Sequence, residues 1–166
     1  MRSVQITGTG ELIELSRRLR AAGGPRLRQN MGRRIRRAAE PLHRDLQTAI
    51  ATLPISSQGG RSRGGPSPTR RPLRATIAAA IRISVRTGAS PGARVWVDRS
   101  ALPLDLRGMP AALNRGRVRH PVYGNRRRWA QQTAPPLWWD RTVRQHMPRM
   151  NAEVERVLDD VRRQLE

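Results

Sequence analysis

The chain has 166 residues, enough for one ordinary domain and short for two. Leu, Ile and Val together number 33, Phe is absent and the formal net charge is +21, a composition at the edge of the region where chains bury too little apolar surface to fold unaided. A large hydrophobic enzyme core is not expected, and what order forms should lean on partner subunits.

All 33 basic residues are arginine, which points to a high-GC coding source and makes many of them surface filler. With no cysteine there is no disulfide framework, thiol chemistry or zinc-finger spacing, and His43, His120 and His146 lie far apart, so neither a metal nor a cofactor is expected. Met1 to Gly10 lacks the apolar stretch of a secretory leader, and the longest all-apolar run is Ile77 to Ile81. The expected product is soluble where it is made.

One domain is expected, with residues 1–24 as an N-terminal segment containing a short helix. Gly23-Gly24-Pro25 then reads as a helix stop followed by a new start. Over residues 25–53 the spacing predicts a long helix, with Met31, Ile35, Ala38, Leu42, Leu46, Ala49 and Leu53 in one apolar stripe. At about 100° per residue, Arg26, Arg33, Arg37 and Arg44 gather on the opposite side, with Arg34 and Arg36 nearby. Pro41 should remove one backbone hydrogen bond and kink the helix.

In residues 54–72, twelve of nineteen positions are Gly, Pro or Ser and four more are Arg, so a long mobile loop is expected. Residues 73–134 are expected to hold a small sheet and an irregular segment. The strict alternation of Ile81 to Arg86, the turn residues 87–92 and the run Ala93 to Asp98 predict two antiparallel strands. Residues 99–128, punctuated by Pro103, Gly108, Pro110, Gly116, Pro121 and Gly124, read as irregular. From Pro135-Pro136, Val143, Met147, Met150, Val154, Val157 and Val161 predict a C-terminal helix over 135–166, with Pro148 bending it or marking its true start. That helix is locally neutral, with Arg156/Asp160 and Asp159/Arg163 at i,i+4, while residues 54–139 carry sixteen Arg against Asp98 and Asp105. The fold class is therefore α+β: a long N-terminal helix and a C-terminal helix packed on a small antiparallel sheet, with a long Gly/Ser/Arg loop.

One string has a catalytic look. Gly88-Ala89-Ser90-Pro91-Gly92 matches the nucleophile elbow of esterases, but the residue after the serine is a proline without the N–H that an oxyanion hole needs, and the string joins two strand-like runs. A turn is the better reading, and no enzyme is expected. The arginine stripe, with Arg61, Arg63, Arg70 and Arg71 of the loop, could contact phosphates, since a chain of this charge attracts nucleic acid at low salt whatever its role. Interleaved aromatics for stacking on single strands are missing, so a solvated face or a charged subunit contact is favoured over sequence-specific recognition. Trp129, Trp138 and Trp139 lie close together near Tyr123, and their favoured role is hydrophobic anchorage. An exposed Trp138 or Trp139 would instead be an interface hot spot.

The segment Arg119-His120-Pro121-Val122-Tyr123-Gly124-Asn125, followed by Trp129, Gln132 and Pro135-Pro136-Leu137-Trp138-Trp139, resembles the minor neck or tail-completion proteins of long-tailed, non-contractile bacteriophages, especially those of high-GC hosts. In that family a long N-terminal helix precedes a loop, a Leu-Arg-x-Ser/Thr-Ile segment, a small sheet, an Arg-His-Pro-aromatic-Gly turn and a C-terminal helix. Leu73-Arg74-Ala75-Thr76-Ile77 fills the place of the Leu-Arg-x-Ser/Thr-Ile segment, and the resemblance covers residues 26–165 in order of elements. The Thr-Gly that usually precedes the Leu-Arg segment is replaced by Thr69-Arg70-Arg71-Pro72 within an enlarged loop.

The resemblance implies a structural virion protein at the head-tail junction, assembled in the host cytoplasm. It implies a homo-oligomeric ring, most often sixfold, joining head-completion proteins to the tail terminator or tail tube, with the genome passing through the lumen and touching it non-specifically. Arg119, His120, Pro121, Tyr123, Gly124, Trp129, Trp138 and Trp139 become interface candidates. Ring contacts of about 1,600 Å² each would supply the burial that the composition lacks. The alternative from the residues alone is an arginine-rich nucleic-acid-binding protein of ribosomal or nucleoid type.

Overall fold

A computed structural model describes residues 3–7, 10, 13–14, 17–18, 25–57, 72–88, 91–122 and 125–163. The expected mobile loop thus lies mostly outside the described residues, as do Arg61, Arg63, Arg70 and Arg71. The fold is α+β. Its strands are β1 (Val4–Thr7), β2 (Ser56–Ser57), β3 (Ile81–Arg86), β4 (Gly92–Val97), β5 (Arg117–Val122) and β6 (Asn125–Thr133). Its helices are α1 (Pro25–Ala51), α2 (Leu73–Ala79), α3 (Met109–Asn114) and α4 (Trp138–Arg163), and two 3-10 turns, Arg99–Ala101 and Leu104–Leu106, lie between β4 and α3. Instead of one sheet there are two antiparallel ones, ordered β1-β4-β3 and β2-β6-β5. None of the helices among the described residues is long and apolar enough to cross a membrane.

The chain divides into two compact units. The first comprises Asp45–Ile81 and Val97–Thr142, and the second comprises Arg2–Arg44, Arg82–Trp96 and Val143–Glu166, so α1 and α4 each contribute to both.

In the first unit the end of α1 buries Leu46 and Ile50, and Leu53 is buried just past the helix. The Gln47 amide donates to the Ala78 carbonyl of α2 at 3.2 Å. Ile77 faces inward from α2, which begins where Thr76 N–H and Oγ1 both bond the Pro72 carbonyl at 2.9 and 3.0 Å. The seven-residue α2 is too short for its periodicity to stand out. Ser56 and Ser57 pair with Thr133 and Gln132, so the expected loop begins as an edge strand. The segment expected to be irregular holds α3 and the β5–β6 hairpin, in which Arg117 faces Thr133, Arg119 faces Gln131 and Pro121 faces Trp129. Pro121 is tolerated because β5 ends its sheet, where a missing N–H costs no ladder bond, and the register shifts between Pro121 and Val122.

The turn from α3 into β5 depends on Gly116. Its φ is +83°, and a Cβ there would lie 2.9 Å from the Ala134 carbonyl oxygen, which only glycine avoids.

In the second unit α1 starts at Pro25, a residue suited to the first helical position, and runs through Pro41. Pro41 has no N–H to give the Arg37 carbonyl, yet the helix continues across it. Met31, Ile35, Ala39 and Leu42 are buried here, with Met150 and Val157 of α4. Over the whole helix the buried stripe takes Ala39 and Ile50 where the expected one took Ala38 and Ala49, both only partly covered. The face is turned by one residue at two places, because alanines on its border discriminate little between the two choices. Arg34 of α1 pairs with Asp160 of α4. Along α4, i,i+3 ion pairs form between Arg156 and Glu153 at 2.7 Å and between Arg163 and Asp160 at 2.6 Å. Pro148 lies inside this helix and does not mark its start.

Candidate functional site

The hairpin of the first unit carries the residues on which the family resemblance rests. Side chains alternate across a strand, so Arg117 and Arg119 on β5 share a face, as do Arg127, Trp129 and Gln131 on β6. All five are exposed, while Val118 between the two arginines is buried. The register sets Arg119 opposite Gln131 and therefore diagonal to Trp129, close enough for long side chains to meet. They do: the Arg119 guanidinium lies 4.8 Å from the centroid of the Trp129 ring. Trp129 keeps 47% of its surface exposed even so. Neither β5 nor β6 contains an acid.

The start of α4 is built differently. Leu137 has φ 63°, a left-handed conformation rare for leucine, and its N–H donates to the Asn114 carbonyl at 2.8 Å. The Asn114 side chain then caps the helix from outside, its Oδ1 accepting from Trp139 N–H at 3.0 Å and its Nδ2 donating to Asp140 Oδ2 at 2.7 Å. This anchors Trp138 and Trp139 inward, 4% and 2% exposed, with ring centroids 5.7 Å apart and planes at 90°. The hot-spot reading of these two tryptophans is therefore corrected. The cap turns them into the core, and as interface candidates they have almost no surface to offer. The Trp138 indole N–H is buried with no acceptor among the described residues.

The other candidates fall as follows. His120 and Pro121 lie in β5 opposite Ala130 and Trp129, and Tyr123 and Gly124 fall outside the described residues. Arg26, Arg33, Arg37 and Arg44 are all exposed on α1, with Arg44 3.7 Å from Glu40 and Arg33 bonded to Asn30. The esterase-like string connects β3 to β4, so a strand follows it where a nucleophile elbow requires a helix. Among the described residues no three His, Asp or Glu side chains gather as a metal site would need. The stacking of Arg119 on Trp129 was not visible in sequence, because it depends on a register that only the hairpin sets.

No family model, curated protein or solved structure matches the chain.

Proposed function

We propose that this chain is a structural subunit of the phage head-tail junction, forming a ring that joins head-completion proteins to the tail terminator or tail tube, and that it carries no catalytic activity. The observation that carries this reading is the exposed Trp129, held under Arg119 on an acid-free hairpin face. Trp is among the residues most enriched at the energetic centres of protein interfaces, as is Arg, and the cation–π contact holds the two together on one exposed face. The same hairpin bears the motif Arg119 to Asn125 through which the sequence resembles neck proteins. The composition adds that a chain poor in bulky apolar residues gains most from burial between copies.

The test is deletion of the gene from the phage genome that carries it, with electron microscopy of the lysate. Unjoined heads and tails are expected, with joining restored by the wild-type gene and not by Trp129→Ala. Fully joined, infectious particles without the gene would end this reading. If the protein instead works as a ribosomal or nucleoid factor, neutralising Arg26, Arg33, Arg37 and Arg44 will abolish function and leave self-assembly intact. The purified wild-type protein, sized at high salt, is expected to run as a ring.

A further inference from the structure

A second basic feature lies within the second unit, beside the arginine stripe expected from the sequence and overlapping it at Arg33. Along one side of α1, against the end of β3, runs a cleft of ≈ 440 Å³ lined by Arg28, Arg33 and Arg36 together with Gly32, Val85 and Thr87. Its floor is made by the close approach of Gly32, where a Cβ would come within 3.0 Å of the Thr87 methyl carbon. No acid lines it, and among the described residues no ion pair takes up any of its three guanidinium groups. The sequence stripe shares only Arg33 with this set.

We infer that the cleft is a binding site for the backbone phosphates of duplex DNA, read without regard to sequence. Three observations lead there. The lining concentrates three permanent positive charges, and guanidinium forks match phosphate oxygens in pairs. Arg28 and Arg36 are eight helical residues apart, about 12 Å along the axis, which is wider than one phosphate and equal to three to four of the roughly 3.4 Å charge spacings of one DNA strand. The lining contains no aromatic ring, its apolar surface coming from Pro25, Val85, the Thr87 methyl and the arginine stems, so a base has no ring to stack on. A nucleotide would need such a platform, whereas a phosphodiester run does not. The inference stands on the cleft's own residues and does not depend on the connector reading, since DNA affinity and head-tail joining are measured separately.

The experiment measures binding of the full chain to a random-sequence DNA duplex over a range of salt concentrations. Two triple variants are compared: Arg28→Ala/Arg33→Ala/Arg36→Ala in the cleft, and Arg26→Ala/Arg37→Ala/Arg44→Ala on the neighbouring face of the same helix. Both remove the same charge from exposed helical positions, where alanine favours the helix, and circular dichroism verifies that each is folded. If three phosphates sit in the cleft, the cleft variant's log–log salt slope falls by about 2.7, equal to an about 40-fold smaller loss of affinity between 50 and 200 mM salt. The matched variant should lose much less. Equal falls in the two variants would mean that only bulk charge is at work and would overturn the assignment. Pyrophosphate titration supplies the other arm: if the cleft variant loses pyrophosphate binding while its duplex slope falls no further than the matched variant's, the cleft takes small phosphates and the DNA assignment fails.

Discussion

Replacing Asn114 by alanine should remove the device that starts α4. Two hydrogen bonds go with the side chain, the acceptor for Trp139 N–H and the donor to Asp140 Oδ2. A lost N-terminal cap costs about 1 kcal/mol, and a bond to a charged acceptor about 1.5–3 kcal/mol. Asp140 is only partly covered and can turn to water, which brings the sum toward the lower end, and alanine returns a few tenths through helix propensity at the end of α3. The expected net loss is about 2 kcal/mol. Tryptophan fluorescence during urea unfolding reads it directly, because Trp138 and Trp139 are buried at this spot. With a slope of about 2 kcal/mol/M the midpoint should fall by about 1 M. Asp140→Ala alone should lose only the second bond, and the double variant should show about 1 kcal/mol of coupling between the two sites. If Asn114→Ala stays within about 0.5 kcal/mol of wild type, or the coupling vanishes, the capping argument is wrong.

Leu137→Gly should raise the melting temperature by about 1–2 °C, because relief of a left-handed leucine, worth about 1–2 kcal/mol, exceeds the added freedom of the unfolded chain. A clear fall by calorimetry would contradict this. Gly116→Ala should cost about 2–3 kcal/mol, since the residue is left-handed and its Cβ would meet the Ala134 carbonyl, and chemical denaturation will show it. Ile50→Ala should cost about 2–5 kcal/mol and Ala49→Ser close to nothing, a pair of urea midpoints that decides which side of α1 is buried. Trp129→Ala and Arg119→Ala should each leave the urea midpoint nearly unchanged, since both side chains are exposed, and any loss of head-tail joining is then a loss of contact.

The elements that could be read in the sequence are those with long or strict periodicity: α1, α4 and the pair β3 and β4. Val4-Gln5-Ile6-Thr7 also alternates, but four residues at a terminus carry little weight until Val4 is seen opposite Val95 and Ile6 opposite Ala93. The β5–β6 hairpin was obscured by Pro121 and Gly124, which normally argue against a strand, and by five arginines that blur the alternation of its apolar residues. At the candidate site, Arg119 and Trp129 stood out through the motif, but their contact required strand register. Whether Trp138 and Trp139 face in or out was set by Asn114, a residue more than twenty positions away that no local pattern connects to them. The cleft was hidden for the same reason, because Gly32 and Thr87 meet only through the tertiary fold.

Pro121 also bears on how neighbouring molecules could join. A terminal strand with a full row of donors and acceptors invites another chain to extend the ladder, and copies that do so grow into open fibres. β5 has a proline in that row and a slip in register beside it, so an incoming strand finds one donor missing and its spacing broken. Extension of the ladder through this edge of the sheet is thereby disfavoured, and contact there falls to side chains.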